Sequence, residues 1–168
     1  MNIKKIYSPV VSYKFMREIL FIEPEKCTGC MRCELACSFK HYGEFNPSLS
    51  RIRVTFLERA IVPASCVMCD EAPCMIACPS SAYYRDEKNN VMQDADRCIG
   101  CRMCILACPF GAISYSEREH KVIKCDLCDY DPECVKHCPT NAIAFIDYEE
   151  AQYRKRLEAA KRITEVME

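Results

Sequence analysis

Several features that are common in folded proteins are scarce or absent in this sequence. It has no tryptophan, and its four glycines form neither a G-x-G-x-x-G run nor a Walker run, which argues against a nucleotide or flavin site. No stretch approaches the roughly 20 apolar residues that a membrane span requires, so no transmembrane helix is expected. No apolar signal segment stands at the N-terminus, and we therefore expect a cytoplasmic protein rather than a secreted one.

Cysteine, in contrast, is abundant. Of 168 residues, 16 are cysteines, and each belongs to one of four groups of four. A gap of two residues opens each group and a gap of three closes it, while the middle gap varies from two to five. Groups one to four are, in order, Cys27, Cys30, Cys33, Cys37; Cys66, Cys69, Cys74, Cys78; Cys98, Cys101, Cys104, Cys108; and Cys125, Cys128, Cys134, Cys138. No cysteine is left over, which indicates one kind of site repeated along the chain.

Group three shows the pattern most clearly. Within Arg97–Ile113 it reads C-x2-C-x2-C-x3-C followed by Pro109. In bacterial ferredoxins with this spacing, three thiolates hold one [4Fe–4S] cube and the fourth reaches a second cube. The iron corners of a cube lie close together, so three sulfurs have to come from one short loop. Gly100, between the first two cysteines, lets the backbone pass close to the cluster.

Two other uses of cysteine fit less well. A disulfide framework suits short secreted chains, and a dense pattern repeated four times does not resemble one. Structural zinc sites use C-x2-C pairs, but these usually come as two pairs separated by a longer spacer. Here a third cysteine follows within two to five residues. A zinc-binding structural module remains open as an alternative to iron–sulfur ligation.

The closing cysteines reveal an internal repeat in groups two, three and four. CPSSAY (78–83), CPFGAI (108–113) and CPTNAI (138–143) each place a turn former before a small alanine and a bulky residue. The turn formers are Ser81, Gly111 and Asn141, and the alanines are Ala82, Ala112 and Ala142. Repetition of one supersecondary unit is therefore predicted, with left-handed backbone at the turn.

Secondary structure is expected to be short except at the C-terminus. Strands are predicted at Ile19–Ile22, Arg51–Leu57, Val91–Gln93, Ile113–Ser116 and Val122–Lys124, the last two pairing with each other. Tyr148–Glu168 is predicted to be a helix, with Tyr153, Leu157, Ala160 and Met167 close to one face. That face either docks on the chain's own domain, which we favour, or on a partner.

Charge limits the choice of partner. The formal net charge is −1. Each oxidised cube with four thiolates adds about −2, because bound metal centres enter the charge count, so four cubes would make the loaded protein acidic. Nucleic acid is therefore not an expected partner. Arg32, Arg102 and Lys124 adjoin cysteines and either raise cluster potentials electrostatically or, as we favour, are ordinary surface charges. His41, His120 and His137 are interpreted as non-ligands that tune potentials by hydrogen bonding or have no role at the clusters.

The four groups, over roughly Arg17–Ile146, resemble the four-cluster iron–sulfur subunits of the dimethyl-sulfoxide-reductase and formate-dehydrogenase electron-transfer family. The stretch CELACSFKHYGEFNPSLSRIRV (33–54) also resembles small subunits that accompany tungsten-dependent aldehyde oxidoreductases. This resemblance implies an α+β fold of two ferredoxin-like halves, from groups one and four and from groups two and three. The expected divisions are an N-terminal extension (1–16), the four-cluster domain (17–147) and the C-terminal helix (148–168).

The family's exchange of fourth ligands, carried over residue by residue, implies four sites. Site I is Cys27, Cys30, Cys33 and Cys138; site II is Cys66, Cys69, Cys74 and Cys108; site III is Cys98, Cys101, Cys104 and Cys78; site IV is Cys125, Cys128, Cys134 and Cys37. Some family members hold a three-iron centre where a tryptophan stands in group three. This chain has no tryptophan and all sixteen thiolates, so four [4Fe–4S] clusters are expected.

The expected function is electron conduction without catalysis by this chain. The resemblance implies a large catalytic partner of the tungstopterin or molybdopterin type in an anaerobic oxidoreductase, with a soluble ferredoxin or another redox subunit at the other end. A freestanding polyferredoxin is the first alternative. The implied spatial order of the sites is I, IV, II, III. The surface around Cys27–Cys33 and the N-terminal extension are expected to face the catalytic partner.

Overall fold

The computed structural model describes residues 17–167, and side chains for residues 17–166. The predicted N-terminal extension lies outside the described residues. Short 3-10 turns occur at Pro24–Lys26 and Pro47–Leu49. The strands are β1 (Glu18–Ile22), β2 (Arg53–Leu57), β3 (Ala60–Ala64), β4 (Tyr83–Arg85), β5 (Val91–Gln93), β6 (Ile113–Ser116), β7 (Lys121–Lys124) and β8 (Ile143–Asp147). The helices are α1 (Arg32–Tyr42), α2 (Pro73–Ile76), α3 (Met103–Ala107), α4 (Glu133–Lys136) and α5 (Tyr148–Met167).

The strands form four two-stranded antiparallel sheets within the described part of the chain. Three are hairpins between consecutive strands: β2–β3, β4–β5 and β6–β7. The fourth joins β1 to β8, with Ile22 opposite Ile143. The predicted α+β class is thus confirmed, as are the strands before group one, before group three and on both sides of the β6–β7 turn.

The β1–β8 sheet brings the two ends of the cysteine-bearing region together. Its inner residues Ile19, Leu20 and Phe21 are buried in the core. The pairing continues past the sheet, where the Glu23 amide donates to the Ala142 carbonyl at 2.9 Å. Ala142 belongs to the turn that follows Cys138. The closing cysteine of group four is therefore carried to the segment that leads into group one.

Each of the first four helices carries the third cysteine of its group in its first turn. These cysteines are Cys33 on α1, Cys74 on α2, Cys104 on α3 and Cys134 on α4, and all four are buried. α1 packs against α4, and α2 packs against α3. The four helices thus place the third cysteine of each group in the interior of the protein.

The repeated turns adopt the expected left-handed backbone. The φ angles of Ser81, Gly111 and Asn141 are +50°, +59° and +52°. The alanines that follow are all buried. The prediction from the repeat is confirmed, and the turn sets the bulky residue of each repeat at the start of a strand.

α5 buries a side chain against its own domain only at its beginning, although Arg162 in its second half pairs with Glu25. Ala151 is buried against β1 and β8, whereas Tyr153 is 61% exposed and Val166 is 86% exposed. Five-residue strands extend about 17 Å, but a twenty-residue helix extends about 30 Å, so most of the helix has no sheet beneath it. The favoured prediction, that the helix docks on its own domain, is confirmed at Ala151, but the face residues Tyr153 and Leu157 are exposed. Among the described residues, no helix is both long and apolar enough to cross a membrane.

Candidate iron–sulfur centres

All sixteen thiols are free, and they gather into sets. One small enclosed cavity is lined by the three leading cysteines of group two and the closing cysteine of group three: Cys66, Cys69, Cys74 and Cys108. The wall is otherwise largely apolar and includes Val91 and Ile113. These four residues are the set expected for site II.

Two further enclosed cavities have the same design. One is lined by Cys98, Cys101, Cys104 and Cys78, and the other by Cys125, Cys128, Cys134 and Cys37. In both, three sulfurs come from one short segment and the fourth comes from another group. The cavities coincide with the sets expected for sites III and IV.

Site I is more open. Cys30 is exposed and Cys27 is half-buried, while Cys33 is buried on α1. Burial raises the pKa of Cys33 to about 12, and the neighbouring charges of Glu34, Cys27 and Cys30 act in the same direction. Cys138 reaches this end of the molecule through the β1–β8 pairing described above.

The sulfurs are spaced too widely to share one ion. A zinc ion at about 2.3 Å from four sulfurs holds them about 3.8 Å apart. Across the described residues, which include every cysteine, no three cysteine sulfurs lie within 4.8 Å of one another. Sulfur-only donor sets around apolar cavities fit a larger iron–sulfur group, whose corners are bound by one thiolate each.

The groups that influence the pKa of a side chain indicate which of the expected sites lie next to each other. The pKa of Cys134 is raised by burial, and thiolates of both group four and group one, including Cys33, raise it further, so sites I and IV adjoin. Burial also raises the pKa of Cys125 to about 12, with Cys66 contributing, so sites IV and II adjoin. Burial raises the pKa of Tyr83 far above its usual range, and Cys104 of site III and Cys74 of site II raise it further. Tyr83 therefore lies between sites II and III.

Burial favours the neutral form of several of these thiols when no metal is bound. Burial raises the pKa of Cys74 and of Cys128 to about 11. Only the thiolate binds iron, so loading such sites releases protons and stabilises the fold at the same time.

Some of the hydrogen bonds to the closing cysteines can be predicted from the sequence. The Ala82 amide donates to Cys78 Sγ at 3.3 Å, and the Ser80 hydroxyl lies 3.5 Å from the same sulfur. The Thr140 hydroxyl lies 3.8 Å from Cys138 Sγ. The sequence places a hydroxyl residue two positions after the closing cysteine in groups two and four, whereas group three has Phe110 at that position. Such contacts tune the electronics of a metal centre.

Around site IV the structure adds residues that the spacing did not indicate. The Arg51 amide donates to Cys37 Sγ at 3.3 Å, and its guanidinium pairs with Asp126. His41 Nε2 lies 3.8 Å from Cys128 Sγ and 3.5 Å from an Asp126 carboxylate oxygen. Burial and the nearby Arg51 charge lower the pKa of His41, which favours the neutral imidazole. No signal in the sequence links these residues to site IV.

Lys124 requires a correction. The sequence indicated an ordinary surface charge, but the residue is only 3% exposed, whereas Arg32 and Arg102 are exposed as expected. Val122, Ile123 and Lys124 are all buried, so both faces of β7 are covered at the end that leads into group four. The side chain lines the cavity of site II.

Comparison with known proteins agrees with this architecture. The 4Fe-4S dicluster domain family matches residues 57–148, and a second family of the same description matches residues 26–83. A polyferredoxin-like subunit of aliphatic sulfonate oxidoreductase from Pyrococcus furiosus is 45% identical over 84 residues, covering 49% of each chain. The electron transfer subunit of thiosulfate reductase from Salmonella typhi is 36% identical over 93 residues, covering 49% of this chain and 47% of its own. The arsenate respiratory reductase iron–sulfur subunit from a Shewanella species is 35% identical over 93 residues, covering 52% and 40%.

The matched segment spans about half the length of these relatives. Their names describe electron-transfer or iron–sulfur subunits, not catalytic ones. Among solved structures, the active-site complex BamBC of benzoyl coenzyme A reductase aligns over 89% of this chain and 96% of its own, with a TM-score of 0.46 and 22% identity. Because the first family match covers more than half of the chain and includes groups two, three and four, the chain belongs to the 4Fe-4S dicluster domain family.

Proposed function

We propose that this chain is an electron-transfer subunit that carries four [4Fe–4S] clusters between a catalytic oxidoreductase subunit and a second redox partner. The observation that carries the proposal is the lining of three enclosed cavities by three cysteines of one group and the closing cysteine of another. Sixteen free thiols supply a fourth set at site I. The family match supports cluster binding of this type.

The chain's own residues hold the proposed clusters in place and keep water away from them. Clusters of this kind supply one-electron chemistry when bound. The buried cysteines hold the four centres in a row, and apolar side chains such as Ile52 and Leu127 exclude water from the row. Backbone and hydroxyl groups at Cys37, Cys78 and Cys138 set the local polarity around the sulfurs. We assign no bond-making step to this chain.

The catalytic partner is proposed to be a tungsten or molybdenum enzyme of the aldehyde oxidoreductase type. The resemblance of residues 33–54 to small subunits of that class supports this choice, and so does the oxidoreductase context of the relatives' names. A freestanding polyferredoxin is the alternative. We also propose a cytoplasmic location, where thiols remain reduced.

Two surfaces at opposite ends of the row are suited to docking. Beside site I, an open groove of about 740 Å³ is lined by Arg32, Lys40, and the stacked rings of Phe39 and Phe45, whose centroids are 4.8 Å apart. At the site III end, α3 and its flanks expose Leu106 and other apolar side chains. We assign the groove to an acidic, partly apolar segment of the catalytic subunit, because Arg32, Lys40 and the aromatic floor complement that chemistry. The acidic residue in the lining, Glu133, already pairs with Lys136. The α3 end is assigned to the second redox partner.

Charge reversal at each end tests this polarity. Arg32→Glu should weaken the complex with the catalytic subunit by about tenfold or more, because it opposes the acidic partner at the rim of the groove. Arg102→Glu, at another exposed arginine beside the cysteines of site III, is the control and should leave that complex intact. Binding is measured by titrating each tagged variant with the co-purified large subunit. Loss of binding with Arg102→Glu alone would reverse the polarity, and no co-purifying large subunit would favour the polyferredoxin.

A further inference from the structure

The Lys124 ammonium group is buried in the centre of the molecule. Nζ donates to the carbonyl oxygens of Val91 and Cys125 and lies 3.5 Å from Met68 Sδ. These contacts satisfy its hydrogen-bonding capacity with neutral groups. None of these neutral groups balances the positive charge of Lys124.

No carboxylate in the described part of the chain forms an ion pair with Lys124. Moving an unpaired ammonium group from water into a protein interior is strongly unfavourable, and such charges are normally paired or neutralised. A buried lysine without a carboxylate therefore indicates that another source of negative charge lies close by.

The surroundings identify that source. Lys124 lines the cavity of site II together with Cys66, Cys69, Cys74 and Cys108. Lys124 Nζ also donates to the carbonyl oxygen of Cys125 at 3.0 Å, and Cys125 lines the cavity of site IV. One ammonium group thus acts on cysteines of both central sites.

We propose that Lys124 is a shared counter-charge for the clusters of sites II and IV and raises the reduction potentials of both. The inference rests on the proposed cluster-binding function. An electron that enters either central cluster adds one negative charge, and a fixed ammonium group nearby stabilises that reduced form more than the oxidised form. Electrons crossing from one half of the protein to the other would meet the same counter-charge on both sides of the crossing.

The chain contains a natural control at the equivalent motif position. Lys26 precedes the opening cysteine of group one, as Lys124 precedes that of group four. Its side chain is 51% exposed and pairs with Glu23 at 2.8 Å. Solvent and the carboxylate screen its charge, so its removal should have little influence on any cluster.

The experiment compares Lys124→Met, Lys124→Arg and Lys26→Met in anaerobically purified full-length chain. Potentiometric titration followed by paramagnetic resonance gives the midpoint potentials, after Cys108→Ser and Cys37→Ser have assigned the signals of sites II and IV. Lys124→Met keeps the stem without the charge and should lower two of four potentials. Lys124→Arg keeps the charge and should retain the wild-type values, as should Lys26→Met.

Iron analysis separates this inference from the proposed function. Wild-type protein with no iron–sulfur content would overturn the function, whereas about sixteen irons with unchanged potentials in Lys124→Met would overturn only the role of Lys124. Equal shifts of all four potentials, or the same shifts in Lys26→Met, would also contradict it. If Lys124→Met loses the two central clusters, retention of both in Lys124→Arg supports the proposal, and their loss there contradicts it.

Discussion

Replacing Cys37 by serine should eliminate or convert the cluster of site IV while leaving that of site I intact. Cys37 lies on α1 in group one, but it lines the cavity formed by Cys125, Cys128 and Cys134. A serine oxygen is a poorer ligand for iron in these clusters than a thiolate sulfur. The expected result is a protein with about twelve to fifteen irons and an altered site IV signal in paramagnetic resonance.

Cys33 provides the matched control on the same helix. It precedes Cys37 by four residues, so the two side chains lie on one face of α1, and they are 7% and 6% exposed. Cys33→Ser should instead damage the cluster of site I. If both variants damage the same cluster, the crossing of groups one and four is wrong.

Replacing Gly100 by alanine should destabilise the protein more than the same change at Gly111. Both glycines have positive φ, +69° and +59°, so alanine costs about 1–2 kcal/mol at either position. At Gly100 the added methyl would also overlap the backbone carbonyl oxygen of His120, which cannot rotate away as a side chain could. Overpacking of this kind adds about 1–3 kcal/mol.

Gly111→Ala is the control because no atom lies within 4 Å of its added methyl. Thermal unfolding of the loaded proteins should therefore give a clearly lower apparent midpoint for Gly100→Ala, with early bleaching of one cluster. Gly100 lies between Cys98 and Cys101, so that cluster should be the one at site III. Equal midpoints for the two variants would show that the loop around Gly100 shifts to accommodate the methyl group and that the close approach to His120 does not destabilise the protein.

Local features of the sequence predicted local structure well. The strands Val91–Gln93 and Ile113–Ser116 and the left-handed turn at Asn141 follow from short patterns that depend on neighbouring residues only. The grouping of the cysteines likewise follows from spacing, because three ligands of one cluster have to share a loop. The division of the domain into two halves remains a prediction.

Features that depend on distant packing could not be predicted in this way. Lys26 and Lys124 occupy the same motif position, yet Lys26 is exposed and pairs with Glu23, whereas Lys124 is buried and donates to the distant carbonyl oxygen of Val91. The contact of Arg51 with Cys37 could not be predicted either. Arg51 lies in the connection between groups one and two, and its amide reaches Cys37 only in the folded chain. The crossed ligand sets came from the family resemblance, and not from spacing.

Iron and acid-labile sulfide analysis of anaerobically purified protein tests the central claim most directly. Four [4Fe–4S] clusters require about sixteen irons and about sixteen sulfides per chain, with broad visible absorbance and negligible zinc. The sixteen free thiols and their separated sulfurs predict this result. Stoichiometric zinc, or fewer than about twelve irons per chain, would contradict the account.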